Sequence, residues 1–105
     1  MPAIAEPPIT VACLAEPGGW RCDVRVGDDE AATDHVVVLD HAALRDLAPV
    51  GASPEELVLE SFRFLLEREP RDAILRRFEL SVITRYYADY EEAIRRRLGG
   101  AGIGQ

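Results

Sequence analysis

The chain has 105 residues, enough for one ordinary core and too few for two, and its 48% hydrophobic and 30% charged residues describe a folded protein rather than a disordered one. All basic residues are arginine and neither lysine nor asparagine occurs, a bias expected of a high-GC bacterial genome. The absence of lysine excludes Schiff-base, P-loop and amine-nucleophile chemistry, and a net charge of −7 makes nucleic acid a poor default partner.

The acidity is uneven. Residues 1–50 hold nine acids against three arginines, and residues 51–105 hold ten against nine. The start, Met1-Pro2-Ala3-Ile4-Ala5-Glu6-Pro7-Pro8, has neither a cationic opening nor an apolar run, so it is read as a flexible arm (1–8) rather than a secretory signal. No apolar stretch approaches the roughly 20 residues that span a bilayer. The expected compartment is the cytoplasm.

Ile9 to Leu14 is β-prone, and Glu16-Pro17-Gly18-Gly19 is turn chemistry. Trp20 to Val26 then alternates, with Trp20, Cys22, Val24 and Val26 on one face and Arg21, Asp23 and Arg25 on the other, the signature of a strand with one buried side. After an acidic loop, His35 to Leu39 reads as a third strand. These runs predict a three-stranded antiparallel meander in the N-terminal half.

Asp40 can cap a short helix over His41 to Leu47, stopped by Pro49 and Gly51. Ser53, Pro54 and Glu56 form the best helix start in the chain, a capping box with proline at the first helical position. From Pro54 to about Arg68, Glu56, Glu60, Arg63 and Glu67 share one narrow stripe, while Leu57, Val58, Leu59, Phe62, Phe64, Leu65 and Leu66 fill an arc of roughly 220°. Such a helix needs cover on two sides, from the meander on one and from the C-terminal helices or a second copy of the chain on the other.

Pro70 ends that helix, and Arg71 to Phe78 reads as another short one. Leu80 to Tyr87 suits a strand by its β-branched and aromatic residues and a helix by Ser81 as cap; its surroundings decide for helix. Asp89 and Glu92 open a last helix, Glu91/Arg95 and Glu92/Arg96 pair at i,i+4, and Gly99 stops it. The expected fold is therefore α+β, a three-stranded antiparallel β-meander packed against three to four α-helices, with one domain over 9–98 and a disordered tail over 99–105.

Cys13, Cys22, His35 and His41 have a spacing that invites comparison with a zinc finger. A finger needs cysteines two to four residues apart and both histidines on one helix, and here the cysteines sit on separate strands, so neither a metal nor a cofactor is expected. A turn at Pro17-Gly18 would oppose Cys13 and Cys22 directly; without a signal segment they are expected as free thiols. Ser53 and Ser81 serve as caps rather than nucleophiles, and His41 beside Asp40 has a surface or capping role. No catalytic set emerges, and the chain is not expected to be an enzyme.

The one basic and aromatic cluster comprises Arg85, Tyr86, Tyr87 and Tyr90, with Arg76 and Arg77 before it and Arg95 to Arg97 after it. Its first reading is packing of the rings against the long helix, with the arginines paired to glutamates; its second is a protein interface, and nucleic acid, on which such residues can stack, comes last. Leu59 and Phe64 on the wide helix join Arg85, Tyr86, Tyr87 and Tyr90 as candidate interaction residues.

From His35 to Glu69 the order of strand, short helix, Gly51-Ala52-Ser53 turn and amphipathic helix resembles ribbon-helix-helix regulators. Pro49 shortens the first helix, and Val36 to Leu39 carries no polar residue to read a groove, so the chain is assigned to no family. The functional expectation is a non-enzymatic protein-interaction module with a protein partner or self-association as a homodimer. An acidic DNA-binding or antitoxin-like regulator is the alternative.

Overall fold

The computed structural model describes residues 7–99. Of the expected arm and tail, residues 1–6 and 100–105 lie outside the described residues. Three strands, β1 (Ile9–Glu16), β2 (Gly19–Val26) and β3 (Thr33–Asp40), pair antiparallel as the predicted meander, and helices occupy the C-terminal half, so the fold is α+β.

The first hairpin turns at Pro17-Gly18. Gly18 has φ 87°, a conformation that L side chains rarely adopt, and at Gly19 the Leu39 carbonyl comes too close for any Cβ. The register that follows sets Trp20 opposite Leu39 and Cys22 opposite both Cys13 and Val37. Cys22, Val24 and Val26 are buried as their alternation predicts, and Asp23 and Arg25 are exposed.

Asp40 closes β3 and caps α1 (His41–Leu47), its carboxylate accepting from the Ala43 N–H at 2.8 Å. Ser53 and Glu56 form the reciprocal capping box, and Pro54 is the first residue of α2 (Pro54–Leu66). Both starts supply oxygens to backbone donors that no helical carbonyl can reach.

α2 is the centre of the molecule. Leu57, Val58, Phe62, Phe64 and Leu65 are all buried, with β1 and β2 on one side of the helix and α4 (Tyr90–Gly99) on the other. Its wide apolar girth is thus sheltered on two sides within one chain. Tyr90 and Ile94 of α4 complete the far side.

Three features differ from expectation. Arg71 to Phe78 forms no continuous helix: a 3₁₀ turn (Arg71–Ala73) leads into a fourth strand, β4 (Arg77–Glu79), which pairs parallel to β3. Its bonds are non-local, Val36 N–H to the Arg76 carbonyl at 2.8 Å and Leu80 N–H to the Val38 carbonyl at 2.9 Å. The docking of Phe78 into the core holds the chain in that register. The following α3 (Val82–Tyr86) is helical as assigned, but Ser81 is itself helical and its side chain makes no cap bond.

The other correction concerns the thiols. Cys13 and Cys22, expected free, are joined in a disulfide at a Cα separation of 3.9 Å. The hairpin register that the turn chemistry dictates brings them together. Among the described residues no helix is long and apolar enough to cross a membrane.

Candidate functional site

The Arg/Tyr cluster separates into three different environments. Tyr90 is fully buried, and its hydroxyl meets that of Ser61 at 2.7 Å; since Ser61 donates to the Leu57 carbonyl, Tyr90 is the donor in this pair. Burial pushes the Tyr90 phenol far above its usual range. Tyr87 is half-buried and donates to the Glu69 carboxylate at 2.6 Å, a bond that also raises its phenol pKa. Tyr86 is 68% exposed, and Arg85 beside it is exposed too.

Phe64 lies wholly in the interior, where Tyr87 and Tyr90 meet its ring edge-on at centroid distances of 5.8 and 5.3 Å. The Arg68 guanidinium stacks on the same ring at 3.7 Å and reaches the Asp89 carboxylate at 2.7 Å. Leu59 is half-buried on α2. Arg95 and Arg96 pair with Glu91 and Glu92 one turn earlier, whereas Arg97 crosses to Glu67, the residue that follows α2, at 2.6 Å. Within the cluster, Tyr90 and Arg97 therefore join α4 to α2 and its end, while Arg95 also donates to the Asp46 carbonyl of α1 at 2.9 Å.

Tyr86 belongs to something else. The end of α2, the 3₁₀ turn, β4 and α3 enclose an open cleft of about 280 Å³, walled by Leu65, Ile74, Leu75, Phe78, Ile83 and Tyr86. Ile74, Phe78 and Ile83 are buried and form its floor, and Leu75, 48% exposed, stands on its rim with Tyr86. The polar contribution comes from Glu69 and Tyr87, already bonded to each other. A surface of this kind can seat apolar side chains; nothing in it converges on a reacting atom.

The rim is held from beneath by His35, which is 1% exposed. Its Nδ1 bonds the Leu75 carbonyl at 2.8 Å and its Nε2 the Thr33 hydroxyl at 2.8 Å, and its ring packs edge-on to Phe62 at 5.2 Å. His41, the other histidine, packs at 4.8 Å against Trp20 at the start of α1. Among the described residues no three or more His, Cys, Asp or Glu side chains group so as to hold a metal ion.

No protein-family model, no curated protein and no solved structure matches the chain. The cleft must speak through its own chemistry.

Leu75 and the floor residue Ile74 were not singled out from the sequence. Their segment carries no periodic signal, because a 3₁₀ turn and a three-residue strand are too short to repeat a pattern. His35 could have been placed, since it shares the inward phase of Val37 and Leu39 on β3.

Proposed function

We propose that the chain is a non-enzymatic protein-interaction module that docks another protein in the cleft between α2, β4 and α3. One observation carries this reading: the exposed large apolar side chains Leu75 and Tyr86 rim the same apolar depression. Interface anchors are typically aromatic or aliphatic groups around a pocket, supported by a rigid floor. Here the floor belongs to the hydrophobic core itself, and the His35–Leu75 bond ties the rim to β3.

The test is affinity capture with the wild-type chain and with a Leu75→Ser/Tyr86→Ser variant. Both substitutions sit at exposed positions, so the melting temperature should hold within a few degrees. A protein retained by the wild type and lost on the variant supports the reading, and identical captures on both overturn it.

The compartment in which it works follows the thiols. A cytosolic chain would keep Cys13 and Cys22 reduced, while an oxidising compartment would keep them bonded. Alkylation trapping in intact cells, followed by mass measurement, distinguishes the expected cytoplasmic residence from an oxidising one.

A further inference from the structure

β1 stands at the end of the sheet order, so among the described residues one of its edges faces no other strand. The register decides which backbone groups lie on that edge. The Gly27 N–H donates to the Pro8 carbonyl at 2.7 Å, one pair before Ile9 and Val26. Antiparallel ladder bonds recur at every second pair. Thr10, Ala12 and Leu14 therefore bond inward to β2, and Ile9, Val11, Cys13 and Ala15 direct their N–H and C=O groups to the open edge. The short Cα separation of 3.9 Å between Cys13 and Cys22 agrees, since close approach marks the pairs without ladder bonds.

Sheet edges are normally blunted by charge, proline, a bulge or brevity. The opposite edge, β4, has three residues and carries Arg77 and Glu79. β1 has eight, with no charge and no proline from Ile9 to Ala15 and no break in its pairing with β2. Among the described residues its edge is open, and it is long and neutral in a chain of net charge −7.

We infer that β1 pairs antiparallel with β1 of a second copy about a two-fold axis at Ala12, joining two sheets into one. The edge is its own complement. With Ala12 on the axis, Val11 falls opposite the second copy's Cys13 and Ile9 opposite its Ala15, so every outward-facing residue meets another and about eight backbone hydrogen bonds form. No opposed pair between Ile9 and Ala15 sets like charges together. Leu14, 58% exposed, gains cover against the second copy's Thr10 on the outer face, and the half-buried Ile9 and Val11 gain it on the inner face. A foreign strand would need this neutrality and register by chance, whereas a second copy has both by symmetry.

Ala12 supplies the test. It faces outward opposite Asp23 of β2, so Ala12→Lys gives the lysine a carboxylate within its own chain and leaves folding unpenalised. Across the axis, however, the same lysine meets its own copy. Sedimentation equilibrium of the full chain should show the mass rising from one chain toward two with concentration. Ala12→Lys should raise the dissociation constant about tenfold or more, and an equimolar mixture of Ala12→Lys with the wild type, in which lysine meets alanine on the axis, should form the mixed dimer. A wild type that keeps the mass of one chain throughout, an Ala12→Lys variant that dimerises as readily, or a mixture in which the variant stays monomeric overturns the inference. Capture of an extended foreign peptide by a chain that does not dimerise would give the edge a different occupant and also overturn it.

Discussion

The imidazole of His35 and the backbone carbonyl of Leu75, separated by 40 positions in sequence, form one 2.8 Å hydrogen bond that decides the protonation of the ring. A carbonyl can only accept, so Nδ1 carries the proton and Nε2 accepts from the Thr33 hydroxyl. Burial lowers the His35 pKa below 6.5, and the charge of Arg76 lowers it further, against opposing contributions from the Leu75 bond and Asp34.

That lowering has a definite sign. Between the folded-state pKa and 6.5 the unfolded chain binds a proton that the folded chain refuses, so His35 stabilises fully above pH 6.5 and progressively less as the pH falls through that window. The slope it adds is at most about 1.4 kcal/mol per pH unit. Chemical denaturation of the wild type and of His35→Gln from pH 8 to pH 5 should show the wild type losing more stability below pH 6.5. Parallel curves would contradict this account of the ring.

Reduction of the Cys13–Cys22 bond should destabilise the domain. It closes a hairpin of sequence separation 9, and the chain-entropy estimate for a loop of that size is about 2–3 kcal/mol. At roughly 4–8 °C per kcal/mol for a domain of this length, the melting temperature should fall by roughly 10–20 °C in a phosphine reductant. A Cys13→Ser/Cys22→Ser variant should melt near the reduced protein and ignore the reductant. An unchanged melting curve on complete reduction would mean that the hairpin is held without the bond.

Ser61 and Tyr90 should behave unequally when each is truncated. Ser61→Ala leaves a buried phenol without a partner and should cost roughly 1–3 kcal/mol, less a few tenths regained from the better helix propensity of alanine. Tyr90→Phe leaves Ser61 still donating to the Leu57 carbonyl and should cost about 1 kcal/mol or less. The double variant should be more stable than the sum of the single effects implies, because no orphaned hydroxyl remains. A double-mutant cycle by urea denaturation that gives simple additivity would disprove the coupling.

Arg68 and Arg96 offer a contrast between arginines. Arg68 sits over the Phe64 ring at 3.7 Å while reaching Asp89, a pair of contacts that a lysine ammonium cannot reproduce, and Arg68→Lys should cost about 1 kcal/mol. Arg96 pairs with Glu92 where the two side chains are 71% and 78% exposed, so Arg96→Lys should leave the melting curve unchanged. Equal effects from the two substitutions would refute the stacking role.

Much of this architecture is legible in the chain because its signals are local. The alternation from Trp20 to Val26, the carboxylate of Asp40 beside its helix, and the Ser53–Glu56 box each describe contacts made within a few residues. The opposition of Cys13 and Cys22 is nearly as local, since a turn at Pro17-Gly18 fixes the register between them. Their oxidation is a different matter, because the residues flanking a cysteine do not state its bonding partner or its compartment.

Tertiary structure alone decided the remainder. Arg77-Phe78-Glu79 has no strand signal of its own; it becomes β4 because β3 offers the Val36 N–H and the Val38 carbonyl, and because Phe78 has a core to enter. The three tyrosines, so close in sequence, part company over whether a hydroxyl partner awaits them: Ser61 for Tyr90, Glu69 for Tyr87 and open solvent for Tyr86. Local chemistry could specify where strands and helices begin, since backbone dihedrals and caps answer to near neighbours. Which surface stayed open could be settled only when distant elements competed to cover the same apolar area, and among the described residues the cleft beside Leu75 is one place left uncovered.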